Sequence, residues 1–205
     1  MAQIETAIAR EGGSELVIER SRFLGMALPA DTEEAALAAL ARVRAQHPQA
    51  THHCSAWRLG PGQERQSDDG EPQGTAGVPL LETLRRRGVD YGILIVVRYY
   101  GGRKLGRPGL LRAYLGAGVA ALDAAGLERR VPGTRYAADV AHQERVPLLR
   151  AIEAVGGEVL SVAFASRVRV EFWLPEEAPL SEVAGRCDAV GCAEPLGSQV
   201  RGAPI

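Results

Sequence analysis

Between Tyr91 and Arg98 the chain reads Gly92-Ile93-Leu94-Ile95-Val96-Val97 without a polar break. An uninterrupted apolar run of this length predicts a central strand covered on both faces. Upstream, Leu16, Ile18 and then Arg22-Phe23-Leu24-Gly25-Met26 predict strand material broken at Arg20-Ser21. Asp31-Thr32-Glu33-Glu34 predicts a helix start, with Asp31 as the cap and Glu34 three residues on. Leu37, Leu40 and Val43 follow at helical spacing, and His47-Pro48 stops the helix. Cys54 to Leu59 reads as a strand, Gly60-Pro61-Gly62 as a turn, and Pro79 to Arg87 as a short helix. Gly109 to Gly126 reads as a longer helix, with Leu111, Tyr114, Leu115 and Val119 apolar.

The second part of the chain changes character. Tyr136 to Val140 predicts a strand, and Glu144 to Val155 a helix stopped by Gly156-Gly157. Glu158 to Phe164 predicts the next strand. From Arg167 to Leu174 the pattern alternates: Val168, Val170, Phe172 and Leu174 on one face, Arg167, Arg169, Glu171 and Trp173 on the other. Leu180 to Val190 reads as a helix and Ser198 to Arg201 as a last strand. The order β-α-β-β-α-β is the ferredoxin-like split pattern. The fold class expected is α+β in two domains, residues 1–131 and 134–205, joined where Arg130-Val131-Pro132-Gly133 has linker chemistry.

Composition narrows the setting. With 46% apolar residues in 205, the chain can bury a real core. Tyr91 to Val97 is too short to span a bilayer, and no basic-then-apolar leader is visible. No membrane association is expected, and the cytoplasm is the expected location. Cys54, Cys187 and Cys192 cannot all pair and lack zinc spacing, so reduced thiols are expected. Cys187 and Cys192 read as buried helix residues. The net charge of −1 hides an asymmetry, because residues 85–135 hold 11 Lys/Arg against Asp90, Asp123 and Glu128. A basic middle between acidic flanks fits a local anion-binding face or a set of solvated helix arginines.

Lys104 is the chain's one lysine among 24 Lys+Arg. It sits in Tyr99-Tyr100-Gly101-Gly102-Arg103-Lys104-Leu105-Gly106, directly after the apolar run. Glycines let a ligand approach the backbone, and a helix beginning near Pro108 would turn free N–H groups toward it. Arg103, Lys104, Arg107 and Arg112 add charge. The loop fits a phosphate or nucleic-acid-backbone site, or a glycine turn with solvated arginines. It is not a P-loop. About thirty residues earlier, Ser67-Asp68-Asp69-Gly70-Glu71-Pro72-Gln73-Gly74-Thr75-Ala76-Gly77 forms an acidic counterpart. Asp68, Asp69 and Glu71 could hold Mg²⁺ in an oxygen shell, pair with the basic loop, or form an ordinary Asp/Gly turn. His52 and His53 precede Cys54. On a strand at most one of them faces a common site, and a Cys54–His nucleophilic pair gains no support from the residue order.

These loops carry a resemblance. Asp68-Asp69-Gly70-Glu71-Pro72, Gly74-Thr75-Ala76-Gly77 and Pro79, followed by Val97-Arg98-Tyr99-Tyr100-Gly101-Gly102, Lys104-Leu105-Gly106, Gly109-Leu110 and Arg112-Ala113-Tyr114, strongly resemble the IMPACT/YigZ family. Ala50-Thr51-His52 with Cys54, and Ser21-Arg22-Phe23, resemble its upstream segments. Pro108 stands where Gly is usual, and Tyr100 where Phe is usual. The resemblance implies an N-terminal domain of the ribosomal-protein-S5 domain 2-like fold and a C-terminal domain like the last domain of elongation factor G. Eukaryotic relatives regulate translation through a scaffold that activates an initiation-factor kinase, and they use an additional N-terminal domain for which this chain has no room. That partner is not expected here.

Three functions compete. The first is a translation-linked protein that binds RNA or a nucleotide, with the ribosome as a possible partner. Arg98, Arg103, Lys104 and Arg112 would neutralise phosphate, and Tyr99 and Tyr100 would stack on a base. The second is an enzyme acting on a phosphate-containing substrate, with His52, Asp68, Asp69 and Glu71 as catalytic candidates. The third is a protein-interaction module of the translation machinery. No resident metal or cofactor is expected, although Mg²⁺ is compatible with the acidic loop.

Overall fold

The structure is a computed structural model that describes residues 5–178, 180–184 and 193–204. The chain divides into two compact units, Glu5–Arg129 and Arg130–Ala203. Both mix helix and strand.

The centre of the first unit is strand β6, Tyr91–Tyr99, buried from Gly92 to Arg98. Its neighbours explain the uninterrupted apolar run. Strand β3 (Ser21–Leu28) pairs antiparallel on one side, and β4 (His52–Leu59) antiparallel on the other. Strand β2 (Gly12–Ile18) pairs with β3 and β5 (Glu64–Ser67) with β4, giving the order β2-β3-β6-β4-β5. Strand β1 (Glu5–Ile8) lies parallel to the start of β6.

Both faces of this sheet are covered. Helix α1 (Glu33–Gln46) seals one with Ala36, Leu40 and Val43 against Trp57, Leu59, Ile93, Ile95 and Val97. Helices α2 (Gly77–Arg86) and α3 (Gly106–Ala125) seal the other, with Leu80, Leu84, Tyr114 and Leu122 among the residues packed with Phe23, Cys54, Ala56, Leu94 and Val96. Alternation along β6 therefore sends Arg98 to the α2/α3 face and Tyr99 to the α1 face. Helix α3 presses close to the sheet. A Cβ on Gly25 would lie 2.3 Å from the Ala117 carbonyl oxygen, and one on Gly12 2.3 Å from the Ala125 nitrogen.

Several expectations change. Thr32, not Asp31, caps α1: its side chain accepts from the Ala35 amide at 3.2 Å. Leu37 and Leu111, expected on buried faces, are exposed. β5 has no apolar signal and was not anticipated.

In the second unit, β7 (Leu127–Val140), α4 (Arg145–Ala154), β8 (Glu158–Phe164), β9 (Val168–Pro175), α5 (Leu180–Ala184) and β10 (Glu194–Pro204) follow in that order. The strands order as β10-β7-β9-β8. Val168, Val170, Phe172 and Leu174 lie in the core beside Leu148 and Ile152. Arg130 to Gly133, read as a linker, lies within β7. Pro132 is accommodated there with its carbonyl accepting from Glu176 at 3.0 Å, and Gly133 because a Cβ would strike the Trp173 ring. Trp173 itself is buried, donating its indole N–H to the Gln199 carbonyl. Cys187, Cys192 and the rest of the expected Leu180–Val190 helix lie outside the described residues.

Gly25→Ala should destabilise the first unit by about 1–3 kcal/mol, the cost of overpacking against a helix backbone. Gly13→Ala, whose Cβ meets nothing nearer than 3.9 Å, should shift the urea midpoint far less.

Candidate functional site

The polar residues that end strands β3, β4 and β6 meet the acidic loop under helix α3. Arg98, at the end of β6, is 5% exposed. Its Nη1 donates to Glu71 Oε1 at 2.6 Å, and both side chains are buried. The Tyr114 hydroxyl, from α3, donates to the same carboxylate oxygen at 2.7 Å. Arg98 Nη2 and the Gly101 amide both reach Ser21 Oγ, at 3.4 and 3.1 Å. The guanidinium lies between the Phe23 and Tyr100 rings, 5.3 Å from each centroid. Gly101 is required where the basic loop crosses β3, because a Cβ would lie 2.1 Å from the Arg20 carbonyl carbon. Burial first, then the neighbouring Cys54 and Glu71, push the Tyr114 hydroxyl far above the usual range, so it stays a donor.

The acidic loop does not hold its carboxylates together. Asp68 turns onto the start of α2 and accepts from the amides of Gly74, Ala76 and Gly77 at 2.7–2.9 Å. These groups have no partner within the helix, and a carboxylate there also opposes the helix dipole. Burial opposes ionisation of Asp68, but the three amides and the Arg107 charge outweigh it and hold its carboxyl below the ordinary range. Asp69 is bound by Arg44 Nη2 at 2.9 Å and by the His53 amide at 2.7 Å. Glu71 goes to Arg98. The three carboxylates thus serve as three separate anchors. Among the described residues no set of three His, Cys, Asp or Glu gathers in a metal-holding arrangement.

The two histidines part as strand geometry requires. His53 faces α1, with Nε2 3.1 Å from the His47 carbonyl oxygen. His52 faces the other way, and its Nδ1 lies 2.8 Å from the Asp69 carbonyl oxygen. A carbonyl only accepts, so Nδ1 carries the proton and Nε2 is left toward Glu71 at 3.8 Å. Cys54 is fully buried and its thiol donates to the Asp68 carbonyl. Burial pushes that thiol far above its usual range, which removes it as a nucleophile.

An open cleft of about 510 Å³ lies over this cluster. Thr51, His52, Pro72, Tyr100, Leu105 and Leu110 form much of its wall, with the Arg98–Glu71 pair below and exposed Lys104 and Arg107 at its edge. Lys104 also lines a neighbouring cleft with Arg112, Glu19 and Arg103. Lys104 and Arg112 make no ion pair with a described residue, whereas Arg103 pairs with Glu19 at 2.6 Å. Asp69, one of the carboxylates that could pair with the basic loop, is held by Arg44. Tyr99 is turned to the α1 face, its hydroxyl 3.0 Å from His47 Nδ1, so Tyr100 remains as the stacking surface. Arg107, read from sequence as adding charge to the basic loop, lines the cleft and donates to the Gln73 carbonyl.

A sheet covered by helices on both faces, with a basic loop after its central strand set against an acidic loop between β5 and α2, defines the class. The Impact N-terminal domain model matches residues 19–122, which include every residue of the cleft, and the chain belongs to the IMPACT family. It is 38% identical over 162 residues to IMPACT family member YigZ of Escherichia coli (strain K12), covering 77% of this chain and 79% of that protein. It is 44% identical over 109 residues to IMPACT family member YvyE of Bacillus subtilis (strain 168), covering 52% and 50%. A crystal structure described as that of a hypothetical protein matches with a TM-score of 0.65 at 33% identity, covering 96% of this chain and 98% of that one.

Glu71→Ala would leave Arg98 buried and unpaired, and should cost roughly 3–5 kcal/mol in urea unfolding. The depressed Asp68 carboxyl contributes stability above its unfolded value near ~3.9, lost as pH falls through the lower folded value. The advantage of wild type over Asp68→Asn should therefore be constant from neutral pH down to about pH 5 and vanish in stronger acid. Thermal melts across pH measure it.

Proposed function

We propose that this is a translation-linked regulatory protein of the cytoplasm that binds RNA or a nucleotide at the cleft edged by Lys104, with the ribosome as a candidate partner. The observation that carries the reading is the state of the cations. Arg98 is neutralised by Glu71 below the cleft, whereas the Lys104 ammonium is exposed and, among the described residues, without an ionic partner beside exposed Tyr100. An unshared cation next to an aromatic face suits a phosphate and its base. Family membership supports the translation link. We further read the two units as ribosomal-protein-S5 domain 2-like and ferredoxin-like, within domains 1–131 and 134–205. The strand orders β2-β3-β6-β4-β5 and β10-β7-β9-β8 support this. Among the described residues no helix is long and apolar enough to cross a membrane.

A second reading, hydrolysis of a phosphate ester, has one observation in its favour: His52 is held by the Asp69 carbonyl with Nε2 beside the cleft. The anchoring of Asp68 and Asp69 away from the cleft favours binding over catalysis. His52→Ala should leave no phosphate-ester turnover to lose.

Lys104→Ala should weaken binding of a single-stranded RNA or nucleotide at low salt by about tenfold, the scale of one charge-assisted contact. Its melting temperature should match wild type. Filter binding and a thermal melt measure both. Absence of wild-type binding to either probe at low salt would remove the reading.

A further inference from the structure

Resting on that reading, we infer that the cleft takes a single nucleotide unit, one base with its phosphate, rather than a run of nucleic-acid backbone. The argument begins with the charges. Residues 85–135 carry 11 basic side chains, but most of the cations around the sheet are already committed. Arg22 pairs with Glu15, Arg44 with Asp69, Arg85 with Glu64, Arg87 with Asp123, Arg98 with Glu71 and Arg103 with Glu19. At the cleft this leaves Lys104, which has no ion-pair partner among the described residues, and Arg107, whose hydrogen bond goes to a neutral carbonyl. Arg112, likewise without an ion pair to a described residue, lines the adjoining clefts rather than this one. The two unneutralised cations of the cleft itself match one phosphate group. They do not make the stripe along which a strand of phosphates is tracked.

In the second unit, Arg135 pairs with Glu171 and Arg169 with Asp139.

The walls fit the other half of the ligand. Pro72, Leu105 and Leu110 are apolar, and Tyr100 is 45% exposed with its ring set against Arg98. A planar base placed on Tyr100 would cover apolar surface and add stacking worth about 1–3 kcal/mol. The space of about 510 Å³ falls in the usual small-ligand range of roughly 300–1,000 Å³. Deeper in, the Arg98 Nε is buried with no acceptor. Thr51 and His52 supply polar atoms on the wall beside Tyr100. The basic edge therefore selects phosphate, and the apolar wall selects a base attached to it.

The test compares four probes on the full chain by calorimetry: AMP, adenosine, inorganic phosphate and a single-stranded adenylate dodecamer. AMP and the dodecamer should bind within about tenfold of each other, with adenosine and phosphate each at least about tenfold weaker than AMP. The slope of log K against log salt for the dodecamer should be about −0.7 to −1.4, as for one or two phosphate contacts to a single strand. Lys104→Ala and Tyr100→Ala should each weaken AMP about tenfold. Both side chains are exposed, so unchanged melting curves are expected. Arg87→Ala, an exposed residue paired with Asp123 away from the cleft, should leave AMP binding within about twofold. A dodecamer that binds with a slope steeper than about −4 while AMP does not bind overturns this inference and leaves the proposed function standing. Failure of AMP, phosphate and dodecamer alike overturns both.

Discussion

The contact between Arg98 and Glu71 orders everything around it. A guanidinium at the end of the most buried strand cannot stay there without an anion, because an unpaired charge in a low-dielectric interior costs several kcal/mol. Glu71 is delivered by a loop 27 residues away in sequence, so that loop must fold back over the sheet. Tyr114 then fixes α3 to the same carboxylate, and Ser21 fixes the β3 turn and the basic loop to the same guanidinium. Four segments distant in sequence are registered by one charge pair. The backbone of both loops serves this convergence: Asp69 and Gly70 adopt positive φ of 43° and 88°, and Gly101 passes a backbone that admits no side chain.

Neutralisation at this point changes the meaning of the surrounding charge. In the segment that is strongly basic in sequence, Arg85, Arg87, Arg98, Arg103 and Arg135 are matched by carboxylates once the chain is folded. Exposed pairs of this kind contribute little stability each, about 0–1 kcal/mol. Their larger effect is to cancel fields that would otherwise attract polyanions without discrimination. Of the cations that make no ion pair with a described residue, Lys104 and Arg107 line the cleft with Tyr100.

The legible parts of this protein were those with a strong pattern. The Ile93–Val97 run announced a strand with neighbours on both sides, and the Val168–Leu174 alternation named its buried face residue by residue. β5 was invisible because Glu64-Arg65-Gln66-Ser67 is wholly polar and is held by edge pairing with β4. The loops were located from sequence, but the roles of their carboxylates were not. Asp68 and Asp69 are adjacent and chemically identical, yet one holds a helix terminus and the other an arginine and a strand amide. That difference is set by backbone direction, which the order of residues does not encode. The same holds for Tyr99 and Tyr100, which strand alternation separates onto opposite faces. The motifs that carry the family resemblance span both loops that line the cleft, and the Impact N-terminal model covers the same ground.

Lys104 has one more consequence. It carries the chain's one side-chain amine, and that amine lies exposed at the edge of the cleft. Reagents that acylate amines therefore have a single internal target in this molecule. Any bound molecule that covers the cleft will shield it. The protein has, by composition, a chemical reporter at the edge of the cleft.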